Sequence, residues 1–266
     1  MRKNRWILAG IAFAALLFLI GVRFVGPRSH VLFPPRASNG TDYVLYVHVP
    51  ERCKGGSCPA LYILDGERWL PTFTQITEDA AARHAMAPLI LVGIGYRDIL
   101  GTAMRRKHDF TPALGRTVGK TGGADAYLQA LEHDIIPYAE AHLPIDRGER
   151  GIAGHSYGGL LAAYALAHDP GLFNRYLIMS PALWFDGGKI FDVPLTHAPH
   201  PRVVYLASNS PNAQTSQMTR DVQRLNTILL GDRSINVSQS VFLNKDHDGV
   251  VEPAARAGLP VLFPDN

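Results

Sequence analysis

Apolar and polar positions divide the chain into three parts. Trp6 to Val22 is an unbroken apolar run, flanked by Arg2, Lys3 and Arg5 before it and Arg23 after it. From Gly26 to Asn39 the pattern is broken by Pro27, Pro34 and Pro35 and reads as a tether into the fold. From Thr41 onward, short β-rich runs alternate with stretches of helical period. Strands are predicted over 43–49, 60–64, 88–94, 150–154, 175–179, 203–207 and 237–242. Segments 60–64, 89–94 and 177–179 are almost wholly apolar, the pattern of strands covered on both faces. Helices are predicted over 123–142, 158–168 and 216–229. In the first of these, Tyr127, Leu128, Leu131, Ile135, Ile136 and Tyr138 share one face, and Pro144 and Gly148 turn the chain into the next strand. Between Arg97 and Gly123 the sequence is polar and Gly-rich with no strong period. It reads as a long functional loop on the ligand-binding edge of an open sheet. The whole alternation predicts an α/β fold with a mostly parallel central sheet and helices on both faces. One folded domain is expected over 41–266, after an N-terminal membrane anchor or signal segment at 1–26 and a linker at 27–40.

The first segment approaches the length of a bilayer's hydrocarbon core, roughly 30 Å at about 1.5 Å per residue. Positive charge on its N-terminal side suits an uncleaved anchor in the inner membrane with the domain in the periplasm. A cleaved signal peptide, which would leave the protein secreted, competes with this. However, Leu19-Ile20-Gly21-Val22-Arg23-Phe24 offers no clean small-x-small site. A buried core helix is the third option. Hydrophobic residues at 47% and charged residues at 18% describe a globular chain. The net charge of +3 comes partly from the N-terminus, and no basic run with interleaved aromatics suggests nucleic acid. The two cysteines, Cys53 and Cys58, flank Lys-Gly-Gly-Ser between two predicted strands. A disulfide at a hairpin tip fits export, and free thiols in a flexible loop are the alternative. Zinc would need two more ligands, which the neighbouring sequence lacks.

The chemistry concentrates in Arg150-Gly-Ile-Ala-Gly154-His155-Ser156-Tyr157-Gly158-Gly159. Gly-x-Ser-x-Gly here follows a predicted strand and precedes a predicted helix, the context in which a sharp turn exposes a nucleophilic serine. Gly154 and Gly158 are expected to be required because a Cβ at either would strike neighbouring backbone. The bland alternative is a Gly-rich helix start capped by Ser156. A serine nucleophile needs a base. His247, in the turn Asn244–Gly249 after the last predicted strand, is placed to serve. His197 and His200 lie in a Pro-flanked surface loop, and His155 is expected to support the turn. This chemistry needs no metal or organic cofactor.

These residues, with Leu61-Tyr-Ile-Leu-Asp65-Gly66-Glu67, Arg106-x-x-Asp109-Phe110-Thr111-Pro112 and His247-x-Gly249-Val250-Val251, resemble one family of α/β-hydrolases. It is the family of esterase D, feruloyl esterases and enterobactin-type siderophore esterases. Similarity runs from about Thr41 to the C-terminus and is closest to the periplasmic trilactone hydrolase branch. The resemblance implies an α/β-hydrolase fold, hydrolysis of a small-molecule carboxylic ester such as a siderophore lactone, and a covalent acyl-Ser156. It also implies oxyanion donors at the backbone N–H groups of Tyr157 and Glu67. A carboxylate is often found after the penultimate strand, but Ser208 to Ser216 contains none. A Ser–His dyad, Asp221 reaching back, or help from Asp246 or Asp248 all remain open. Arg97 and Arg106 are candidates for binding an anionic or catecholate substrate, against an alternative in which Arg106 pairs with Asp109. Two other functions compete: an exported acyltransferase, and a binding protein on a catalytically dead scaffold.

Overall fold

A computed structural model describes residues 29–98, 100–115, 121–168, 171–210 and 216–265. The apolar run 6–22 lies outside the described residues, and among those described no helix is long and apolar enough to cross a membrane. The strands are β1 (Ser29–Leu32), β2 (Tyr43–His48), β3 (Cys58–Leu64), β4 (Ile90–Tyr96), β5 (Ile145–His155), β6 (Arg175–Met179), β7 (Arg202–Ser210) and β8 (Ile235–Leu243). They form one eight-stranded sheet in the order β1-β2-β4-β3-β5-β6-β7-β8. The β1–β2 and β2–β4 pairs are antiparallel, and every pair from β4 to β8 is parallel.

Period-2 alternation sorts the strand side chains onto two cores. Tyr62 and Leu64 of β3 join one cluster, Leu61 and Ile63 the other. The first core is closed by α3 (124–142), α4 (Tyr157–His168) and α5 (Gln217–Leu229), the second by α1 (Gly66–Ala82) and α6 (Val251–Leu262). α4 is buried at every position from Gly158 to Ala167. Its apolar residues therefore circle the helix rather than forming a stripe, as a helix enclosed on all sides requires. α3 contains a π-helical turn over Leu131–Ile135.

Four segments differ from the sequence expectation. The tether contributes β1, which adds an edge to β2 despite the prolines that follow it. The long loop holds α2 (Thr102–Asp109), a helix that exposes its two apolar residues, Ala103 and Met104, and buries only Asp109, so it leaves no hydrophobic period. α1 and α6 each carry an internal proline, Pro71 and Pro260, which disguises them as irregular sequence. A disulfide joins Cys53 to Cys58, with Cα atoms 5.7 Å apart, at the connection between β2 and β3.

Candidate active site

β3 and β5 are parallel neighbours, with Ile63 beside Ala153, so the turns that follow them emerge together at the C-terminal edge of the sheet. After β5 the chain reverses at Ser156, whose φ of 60° lies in the left-handed region that side-chain-bearing residues rarely adopt. The strain is held by backbone bonds: Ser156 N–H donates to Met179 O (3.1 Å), and Ser156 O accepts from Leu160 (3.0 Å) and Ala182 (2.9 Å). The two motif glycines prove unequal. A Cβ on Gly154 would lie 2.1 Å from Gly158 O, whereas one on Gly158 would meet nothing closer than 3.4 Å. The expectation for Gly158 is therefore corrected: its backbone crowds Gly154, and its own missing side chain is not required. Gly159 is tight instead, since a Cβ there would lie 2.9 Å from Pro181 Cα.

The turn after β3 mirrors this one. Asp65 has φ 57° and is followed by Gly66, where a Cβ would lie 2.2 Å from Gly93 C in β4. Only Gly lets α1 start so close to the sheet. The N–H groups of Arg68 and Trp69 both bond Asp65 O, so those of Gly66 and Glu67 precede the first intrahelical bond. Glu67 is thus the second residue of α1, and Tyr157 the first of α4. The two helix starts abut: a Gly158 Cβ would come within 3.7 Å of Asp65 Oδ2.

Arg106 locks the arrangement. Its Nε and Nη2 donate to the two Asp65 oxygens at 2.5 and 2.8 Å, and Nη2 reaches His155 O at 3.4 Å. The pairing with Asp109 does not occur. Asp109 is buried and accepts from the hydroxyls of Tyr43 (3.2 Å) and Tyr96 (3.0 Å), with His108 Nδ1 at 2.8 Å. Arg106 thus commits its guanidinium fork to the turn, while exposed Arg97 lies over the Phe33 ring. A cavity of about 440 Å³ sits beside α2, lined by Asp98, Met104, Arg105, His108 and Asp109 among others, but not by Ser156 or His247. The strained Ser156 turn, and not this concavity, is therefore the candidate site.

His247 is half-buried in the turn between β8 and α6. Burial lowers its pKa, with Arg106 and Arg68 pushing the same way and Asp248 and Asp246 opposing them. Its ring lies 4.4 Å from that of His155, tilted by 43°, and its carbonyl faces His155 Nε2 at 2.6 Å. Among the described residues no carboxylate hydrogen-bonds the His247 ring. Asp221 is not brought to it: Asp221 accepts from Gln217 Nε2 (2.6 Å) on α5, which packs on the first core, while Val250 and Val251, just after His247, belong to the second. Asp248 pairs with Arg68 (2.7 Å), and Asp246 caps its own turn at Gly249 N–H (2.6 Å). At the end of β7, where an acid is expected in this fold, stands buried Asn209, bonded to Ser180 Oγ (2.9 Å). His197 and His200 are exposed in the loop before β7.

Trp184 escapes a sequence reading. It is half-exposed and lies 6.2 Å from the Tyr157 ring beside the Ser156 turn, in a segment whose only signal is the preceding Ser180-Pro181. The Arg68–Asp248 pair, 180 residues apart in sequence, is equally invisible to local pattern.

Strand order, the serine at the strand-to-helix turn and the histidine beyond the last strand define an α/β-hydrolase. More narrowly, the family described as Putative esterase matches residues 37–227, and the chain belongs to it. It is 35% identical over 156 residues to the siderophore triacetylfusarinine C esterase of Aspergillus fumigatus, covering 55% of this chain and 53% of that protein. It is 33% identical over 165 residues to an apo-salmochelin esterase of Escherichia coli, covering 58% and 50%. The chain thus spans about half the length of these relatives. Among solved structures it resembles the BES protein of Bacillus cereus (TM-score 0.80, 24% identity, 90% and 96% of the two chains). It also resembles the enterobactin and salmochelin hydrolase IroE (TM-score 0.69, 25% identity, 89% and 96%).

Proposed function

We propose that the chain is an exported serine esterase that hydrolyses carboxylic esters, with a siderophore ester as its substrate class. The observation that carries this reading is Ser156 at positive φ, on a turn that faces both a paired helix start and the His247 turn. His247 removes the Ser156 proton as Oγ attacks the ester carbonyl, and the N–H groups of Tyr157 and Glu67 stabilise the oxyanion. His247 then protonates the leaving alkoxide, and water, deprotonated by the same imidazole, releases the acid from acyl-Ser156. No carboxylate is needed to complete this cycle. A base held without one suits labile esters better than amides, because its imidazolium is less stabilised. The names of the relatives support the substrate class. Export, by an anchor at 1–26, is supported by the charge pattern there and by the Cys53–Cys58 bridge, since disulfides persist in oxidising compartments.

The test is hydrolysis of short p-nitrophenyl esters and of siderophore lactones by the full chain in detergent, beside Ser156→Ala. Activity abolished by the substitution is the expected result. Equal activity in the variant, or no labelling of the wild type by a serine-reactive phosphonate, would refute the proposal. Cleavage of the domain by protease added to spheroplasts tests the location.

A further inference from the structure

A base without a carboxylate partner must be held in place by other means. The His247 turn is tied down through its main chain and flanks. Asn244 N–H donates to Ser210 O (2.8 Å), Asn209 Nδ2 approaches Lys245 O (3.4 Å), and Asp248 is gripped by Arg68 (2.7 Å). The shortest tie involves His247 itself, whose carbonyl lies 2.6 Å from His155 Nε2. A carbonyl can only accept, so His155 Nε2 carries the hydrogen.

The His155 ring is built in on every side. It is buried, with its edge against the Trp69 ring at 5.5 Å, the His247 ring at 4.4 Å, and Asp248 Oδ1 at 4.0 Å from its Nδ1. The same residue's main-chain carbonyl receives Arg106. His155 also immediately precedes the strained serine. Nucleophile and base are therefore referred to one rigid point, the end of β5.

We infer that His155 is a positioning residue that sets the place of the His247 imidazole over Ser156 by donating its Nε2–H to the His247 main-chain carbonyl. The orienting role that a carboxylate plays through the ring nitrogen of a triad histidine is here exerted on the backbone of the base instead. Orientation is supplied without charge. This inference rests on the proposed roles of Ser156 and His247.

The test compares three variants of the full chain. His155→Gln can place an amide N–H near the Nε2 position, His155→Phe fills the space without a donor, and His155→Asn keeps a donor that stops short of the carbonyl. Each is followed by kcat and KM on a p-nitrophenyl ester, by the rate of phosphonate labelling of Ser156, and by thermal melting. His155→Phe and His155→Asn should lose about 100-fold in kcat and in labelling rate, the scale of a displacement of about 1 Å, with KM little changed. His155→Gln should recover most of the loss. If either donorless or short variant melts like the wild type and keeps its kcat, the inference is overturned. A loss of melting temperature with unchanged kcat in the folded fraction also overturns it, because that marks a purely structural role. Either of those results would leave the esterase reading intact. A wild type that neither turns over nor labels would refute that reading and the inference with it.

Discussion

His155 enters the fold neutral. Burial, aided by the charge on His247, lowers its pKa from the ordinary 6.5 to about 4, against weaker raising contributions from its bond to the His247 carbonyl and from Asp248. In the unfolded chain the same imidazole takes up a proton as the pH falls through 6.5, while in the native state it resists until about 4. Across that window the unfolded state binds more protons, so stability falls with falling pH. The contribution is fully present above 6.5 and is lost by about 4. One proton of difference is worth about 1.4 kcal/mol for each pH unit crossed, so going from about pH 7.5 to about pH 4.5 costs the native state about 2.5 kcal/mol through this one group. The side chain is only 2% exposed, so solvent screening takes little from that figure. His247 and His30, also lowered by burial, add to the loss in any variant, so the informative quantity is a difference. Denaturant unfolding of wild type and His155→Gln at the two pH values supplies it. The variant should be less pH-sensitive by about 2.5 kcal/mol. Equal pH dependence in the two proteins would refute a buried neutral ring at His155.

Four further outcomes are expected. The acid limb of kcat/KM should have its midpoint below 6.5, because burial and the nearby arginines keep His247 unprotonated to lower pH; a midpoint at about 7 or above would contradict this. Gly154→Ala should cost about 3 kcal/mol or more by driving a Cβ into Gly158 O, while Gly158→Ala should fold, and reversed outcomes in melting experiments would refute the asymmetry. Asp221→Asn should leave turnover nearly unchanged; a loss of about 100-fold, the scale of general-base catalysis, would return Asp221 to the site. Replacing both Cys53 and Cys58 by Ser should lower unfolding stability by about 2 kcal/mol, the loop-closure value for so short a ring, with activity retained.

The sheet is legible in the sequence because its central strands are buried on both faces, which leaves runs such as 60–64 and 89–94 with hardly a polar residue. The Ser156 turn is legible because the close approach of its two flanking backbones leaves no room for a Cβ at Gly154. α2 is not, since Arg105, Arg106 and Lys107 make a helix that serves polar contacts and shows no apolar stripe. The partner of Arg106 is hidden for the same reason. A local pairing with Asp109 is what sequence spacing suggests, whereas the pairing with Asp65 depends on β3 and α2 meeting in space. Asp221 stays a candidate acid on sequence alone, because neither its bond to Gln217 nor the packing of its helix on the core opposite the one that holds Val250 and Val251 can be read from local pattern.

The edge strand β1 has a consequence for how the molecule stands. Ser29 pairs with His48, and His48 pairs in turn with Leu91 near the start of β4, so the described chain enters at the end of the sheet opposite the turns that carry Ser156 and His247. Between Val22 and Ser29 lie six residues, a leash of at most about 20 Å when fully extended. On the proposed anchoring by 1–26, the domain would be attached at the base of the sheet, and a posture with the Ser156 turn away from the lipid is the one that attachment favours. Such a posture presents the serine to molecules diffusing through the compartment and denies it to the acyl chains of the membrane beneath.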